Sequence, residues 1–252
     1  MIKFLSVIFQ KKIHMIQNFK SKVKSFKYLS KDVFEFVLEL IEPDCIDFKA
    51  GQYVTIKIPH EDEKPLFRAY SVASSPLNNK ELLFWVKHIK IGEGSKRLAQ
   101  LKIGDEVMLR GPMGEFILRE NSDRDLLFVA GGTGIAPFHS MIDYIQRKGI
   151  KKNINVYFGL KNRNDFFCED CIENLIRIYP NIKFNLCLSR ENGNVDMDYR
   201  KGRVTKALDE DFKEFKNFDA YICGGKEFIE DVENLLISKG QEKENIFYEK
   251  YY

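Results

Sequence analysis

Three short stretches carry residue types that could do chemistry. The first is "RAYSVASSP", Arg68 to Pro76. In an extended strand the side-chain period is two, so Arg68, Tyr70 and Val72 share one face while Ala69 and Ser71 share the other. A guanidinium, a phenol ring and an apolar group in a row suit a flat ligand with an anionic tail better than a structural strand. The second is "VAGGTGIAP", where Gly131, Gly132 and Gly134 let backbone approach a bound group and Thr133 adds a hydroxyl. A helix following this turn directs its first N–H groups at a phosphate, and Pro137 suits an early helical position. The third, "YICGGKEF", repeats the arrangement with Cys223 at the tip, followed by Gly224 and Gly225. Taken alone, a glycine-rich turn is unspecific, and Cys223 is equally compatible with a buried small hydrophobe.

The elements that must position these residues fall into two halves. From about Lys22 to Leu118 short strands alternate with turns: "SKVKSFKYL", "VFEFVLEL", "QYVTIKIP", "AYSVASS", "LLFWVKHI" and "DEVMLRGP". In VFEFVLEL, Val and Glu separate Phe and Leu, as on a half-buried strand, and the close spacing predicts an antiparallel barrel or sandwich. One helix interrupts them in "GEGSKRLAQL", with Ser95 as the expected N-cap. After about Asp123 the rhythm becomes strand, glycine-rich turn, helix, with near-continuous apolar runs of the kind that buried parallel strands carry. "NIFYEKYY" adds a last strand. This half predicts a doubly wound α/β domain with its ligand at the carboxyl ends of the strands. The expected boundaries are an N-terminal extension over 1–20, a β-barrel domain over 21–120 and an α/β domain over 121–252.

The chain has 252 residues, 44% hydrophobic and 31% charged, enough for packed cores. A net charge of +3 gives no basis for nucleic-acid binding. Five scattered cysteines suit a reducing compartment, and a cytoplasmic location is expected. The opening run FLSVIF is too short for a signal segment, so residues 1–20 are read as a surface helix or an over-extended start before Met15. No stretch approaches the length of a membrane span. "CEDC", Cys168 to Cys171, has no second pair at zinc-ligand spacing, and His14, His60, His88 and His139 show no metal pattern, so no metal is expected.

The order RxYS, GxxS before a helix, GGTGIAP, CGG and a terminal aromatic resembles the ferredoxin-NADP reductase superfamily over nearly the whole chain after about Ser21, closest to its bacterial ferredoxin or flavodoxin reductases. The resemblance implies an antiparallel Greek-key β-barrel holding FAD, followed by a doubly wound parallel-sheet domain holding NAD(P)H. Arg68 then matches the arginine on the FAD pyrophosphate, Tyr70 the aromatic packed on the flavin and Ser71 the hydroxyl near its N5 atom, with Ala69 between them. Trp85, Val86 and Lys87 match a strand flanking the flavin, and Glu93, Gly94 and Ser95 the turn at the FAD phosphates. Trp85 is also compatible with plain core. Thr133 matches a threonine between flavin and nicotinamide, and Cys223 a cysteine beside the nicotinamide.

A 2′-phosphate needs cations, and Ser189, Arg190, Arg203 and Lys161 match the basic site that favours NADPH over NADH. At the C-terminus Glu249 is a candidate proton relay, Tyr251 is placed near the flavin and Tyr252 near the adenine end. The resemblance implies an FAD-dependent enzyme that takes hydride from NADPH and passes electrons singly to a separate ferredoxin or flavodoxin, since no cysteine cluster for an iron-sulfur domain is present. A monomer is expected. The alternatives are an NADH-dependent reductase component of an oxygenase, a free flavin or quinone reductase, and a non-catalytic flavin-binding subunit.

Overall fold

The computed structural model describes residues 16–58, 66–89, 92–193 and 198–251. Its first half runs β1 (Gln17–Tyr28), β2 (Val33–Glu42), β3 (Tyr53–Ile58), β4 (Leu66–Ser71), β5 (Glu81–Lys87), α1 (Glu93–Leu98) and β6 (Glu106–Met113). β1 begins at Gln17, upstream of the boundary expected at position 21, because Gln17 to Lys22 pair with β6. All six strands form one antiparallel sheet in the order β4-β3-β6-β1-β2-β5. The return of β6 between β3 and β1 is a Greek-key connection. The sheet curls round a core that includes Phe34, Phe36, Leu38, Ile56, Phe84 and Leu109. Between β4 and β5 the described residues form no ladder, so the barrel is open at that seam, bridged by the Ala73 N–H donating to the Leu83 carbonyl at 2.8 Å.

The second half runs β7 (Asp125–Gly131), a 3-10 turn at Gly132–Ile135, α2 (Ala136–Arg147), β8 (Ile154–Leu160), α3 (Glu169–Ile178), β9 (Ile182–Leu188), β10 (Arg200–Lys201), α4 (Val204–Asp211), β11 (Phe218–Gly225), α5 (Lys226–Ser238) and β12 (Ile246–Tyr251). Its sheet is parallel, in the order β10-β9-β8-β7-β11-β12. The chain steps outward from β7 to β10, then crosses back to lay β11 on the other side of β7. Between β7 and β11 lies the topological switch point, where such sheets open a ligand crevice.

The two halves share an apolar layer in which Val33, Ala73, Trp85 and Phe116 pack with Phe138, Met141 and Phe167. This explains a departure from the alternation read in β2. Glu35 points away from the barrel core yet is only 9% exposed, because the second domain covers that face. Its carboxylate accepts from Trp85 Nε1 at 2.8 Å and pairs with Lys27 at 3.1 Å. Trp85 packs edge-on against His139 and Phe167, and His139 Nδ1 lies 2.8 Å from the Ala73 carbonyl. Trp85→Phe keeps a ring in the layer but leaves a buried carboxylate oxygen without its donor. Chemical denaturation of this variant is expected to show a loss of about 1–3 kcal/mol.

Candidate active site

Register, more than any single motif, assembles the site. In the parallel ladders Cys223 lies opposite Ala130 of β7 on one side and opposite Glu249 of β12 on the other, while Gly225 lies opposite Tyr251. The turn after β7, the tip of β11 and the end of β12 therefore converge at the switch point. Gly134 makes that convergence possible: a Cβ there would stand 2.3 Å from the Cys223 carbonyl oxygen, so only glycine lets the 3-10 turn rest on the end of β11.

Across the domain boundary Ser71, buried at the end of β4, donates its hydroxyl to Glu249 Oε1. Tyr251 donates to Ser71 Oγ at 3.0 Å and also lies within hydrogen-bonding reach of the Cys223 thiol. Ser71, Cys223, Glu249 and Tyr251 thus form one cluster drawn from both domains. Burial pushes the Glu249 carboxyl up to about 7, against the opposing pull of the Ser71 hydrogen bond. Burial also raises the Cys223 thiol well above its ordinary value, with the Glu249 charge adding to it. Cys223 is therefore a neutral thiol, suited to packing and not to nucleophilic attack.

A raised carboxyl has a consequence for stability with a definite sign. Below pH about 4.5 Glu249 is protonated whether the chain is folded or not. Between 4.5 and 7 only the folded chain keeps the proton, so its stabilisation is lost progressively and is gone above about 7. Melting temperatures of Glu249→Gln followed across this range should fall less with rising pH than those of the parent protein.

Along β4, Phe67, Arg68 and Ala69 are exposed and Tyr70 is half-buried. Arg68 donates to the Phe67 carbonyl at 2.9 Å. A Cβ on Gly94 would lie 2.9 Å from Arg68 Cγ and 3.4 Å from the Tyr70 hydroxyl, so this glycine lets the Arg68 stem and Tyr70 close against the first turn of α1. Burial pushes the Tyr70 phenol up to about 12, so it stays neutral. Guanidinium, first-turn amides and a neutral aromatic gathered along one sheet edge match the pyrophosphate and ring of FAD.

The expected N-cap is corrected here. Gly92, not Ser95, caps α1; Ser95 lies inside the helix, and its hydroxyl accepts from the Ile89 N–H at 3.0 Å. Glu93 pairs with Arg97 one turn on. Val86 faces the barrel core and Trp85 the interdomain layer, so the side chains of both are taken up by protein packing. Lys87 instead turns into a second feature.

That feature is a cleft of about 450 Å³ along the carboxyl edge of the parallel sheet, whose walls include Gly132, Thr133, Lys161, Ser189 and Arg203. Arg190 is exposed and is not among its lining residues. Sequence reading missed Phe228, Glu227 and Asp231 on α5, all of which line it. Phe228 packs where Gly131, Gly159 and Gly224 leave room; the only signal was the i, i+4 spacing of Glu227 and Asp231 after the CGG turn. Tyr252 lies outside the described residues, as do His14, His60 and residues 1–15. Both CEDC thiols are free and raised by burial, which disfavours the thiolate that dithiol chemistry requires. Among the described residues no His, Cys, Asp and Glu group is arranged to hold a metal ion, and no helix is long and apolar enough to cross a membrane.

A barrel edge whose residues suit FAD, a cleft at the carboxyl ends of the parallel strands and a polar cluster drawn from both domains fit a two-domain flavin-dependent NAD(P)H oxidoreductase. The oxidoreductase FAD-binding domain family matches residues 20–117 and the oxidoreductase NAD-binding domain family residues 128–234. The chain is 30% identical over 244 residues to the reductase component DmpP of phenol 2-monooxygenase from Pseudomonas sp. (strain CF600), covering 95% of this chain and 67% of that protein. Among solved structures, the Amycolatopsis cytochrome P450 reductase GcoB superposes with a TM-score of 0.85 at 24% identity, covering 94% of this chain and 70% of that one. A Neisseria gonorrhoeae ferredoxin NADP+ reductase with bound FAD and NADP superposes with a TM-score of 0.80 at 21% identity over 93% and 99% of the two chains. The chain belongs to the ferredoxin-NADP reductase superfamily.

Proposed function

We propose that this reductase draws electrons from NADPH and hands them singly to a separate protein carrier, a ferredoxin or flavodoxin. The observation that carries the reading is the Ser71–Glu249–Tyr251–Cys223 cluster, drawn from both domains. FAD, when bound, supplies acceptance of hydride and release of single electrons. The chain's own residues would then position and protonate. Arg68 and the first turn of α1 would hold the pyrophosphate, Tyr70 the ring, and Thr133 and the glycine turn the nucleotide. Tyr251 donates to Ser71 and Ser71 to Glu249, so the chain of hydroxyls ends on a carboxyl that titrates near neutrality and can take up or release a proton there. The neutral Cys223 thiol packs beside Tyr251 and offers no thiolate to react.

Lys161, Ser189 and Arg203 along one cleft support acceptance of a 2′-phosphate, while Glu227 and Asp231 oppose it, so NADH is expected to serve as a second donor. Acidic carriers would dock near Lys96 and Arg97. The relatives' names favour a second reading of the acceptor, an oxygenase component reached directly. All five cysteines are free, which supports a reducing compartment such as the cytoplasm. The test is cytochrome c reduction by the FAD-loaded protein with NADPH and increasing amounts of a [2Fe-2S] ferredoxin or a flavodoxin. A rate that saturates with carrier is expected. Indifference to both carriers alongside rapid turnover of free FMN or quinone would overturn the reading.

A further inference from the structure

The cleft contains a carboxylate that no nucleotide-binding role explains. Asp231, on the second turn of α5, accepts from Arg203 Nη1 at 3.0 Å, and both residues line the cleft. Glu227, one turn earlier on α5, lines the same wall. Arg203 stands at the N-cap of α4. The pair is at the rim in water, its side chains 75% and 51% exposed, so it contributes little to folding. The pair nonetheless occupies a cation that the cleft would otherwise offer to an anion.

We propose that Asp231 is a specificity-determining residue: it competes with the 2′-phosphate of NADPH for Arg203 and so narrows the preference for NADPH over NADH. The inference rests on the reading above that Arg203 serves the 2′-phosphate. Discrimination is a difference of affinities, and a like charge beside the phosphate site weakens the nucleotide that carries the extra phosphate more than the one without it. The phosphate bears about −1.5 to −2 charge near neutral pH. Removing one carboxylate a few ångström away in an exposed site should raise its relative binding by about five- to tenfold. Salt should shrink that gain, since exposed charges are screened within about 8–10 Å at 0.1–0.15 M ionic strength.

The test is calorimetric titration of the FAD-loaded protein with NADP+ and with NAD+, for the parent, Asp231→Asn, Arg203→Ala and the double variant, at low and high salt. Expected for Asp231→Asn is a five- to tenfold rise in the ratio of NADP+ to NAD+ affinity, reduced at high salt and smaller when Arg203 is also replaced. Asp231→Ser should give the same rise, which separates loss of charge from any effect of the asparagine. If Arg203→Ala weakens NADP+ selectively but neither Asp231 variant changes the ratio, this inference fails and the phosphate site stands. If Arg203→Ala leaves the ratio unchanged, the phosphate-site reading fails and this inference with it.

Discussion

Ser71→Ala should slow NADPH-driven reduction of the bound flavin by about 10²–10³-fold, the range lost when a positioned proton-carrying group is removed. The reason is connectivity. Ser71 is the link through which Tyr251 reaches Glu249, and it joins a barrel strand to a strand of the second domain. Alanine removes the acceptor for Tyr251 and the donor for Glu249 together, leaving a half-buried carboxyl with one fewer partner. Stopped-flow flavin bleaching reads this directly. A structural role alone would lower stability and leave the bleaching rate near that of the parent. Ser71→Thr, which keeps the hydroxyl, should recover most of the rate.

Arg68→Ala is expected to weaken FAD retention by roughly 10²–10³-fold, seen as loss of the yellow chromophore on desalting. Hydrogen bonds to charged groups contribute about 1.5–3 kcal/mol each, and a guanidinium can offer two to a pyrophosphate. Arg68 is exposed along β4, with Gly94 leaving space for its stem. Its loss should therefore cost little in folding. Arg68→Lys should retain part of the affinity, since a point charge replaces the fork. Equilibrium dialysis against FAD measures all three proteins.

Some of this was legible in the residues. RxYS, GGTG and CGG fixed the order of the site along the chain, and the change of rhythm near Asp123 separated the two sheets. The meeting of Ser71 with Glu249 was not legible there: it is a contact between β4 of the barrel and β12 of the second domain, 178 residues apart in the chain, which no local pattern encodes. Glu35 shows the limit most clearly. Its alternation within β2 reads as solvent-facing, yet a second domain closes over it, and a period of two reports faces without saying what covers them. Ser95 looked like a cap because serine favours that position. Here the backbone of Ile89 and Gly92 claims its hydroxyl and the helix begins sooner. Asp231 was invisible for a similar reason: acids on an exposed helix face are routine until the fold turns that face into the wall of a cleft.

Retention of FAD and its reduction by NAD(P)H at the Ser71–Glu249 cluster are tested together by one measurement. The purified protein is loaded with FAD, desalted, and titrated anaerobically with NADPH and in parallel with NADH while the visible spectrum is recorded. A flavin band that survives desalting and bleaches with about one equivalent of NADPH, and also with NADH, is the predicted result. A band lost on desalting, or one that neither nucleotide bleaches, would show that the protein does not use a retained FAD in this way.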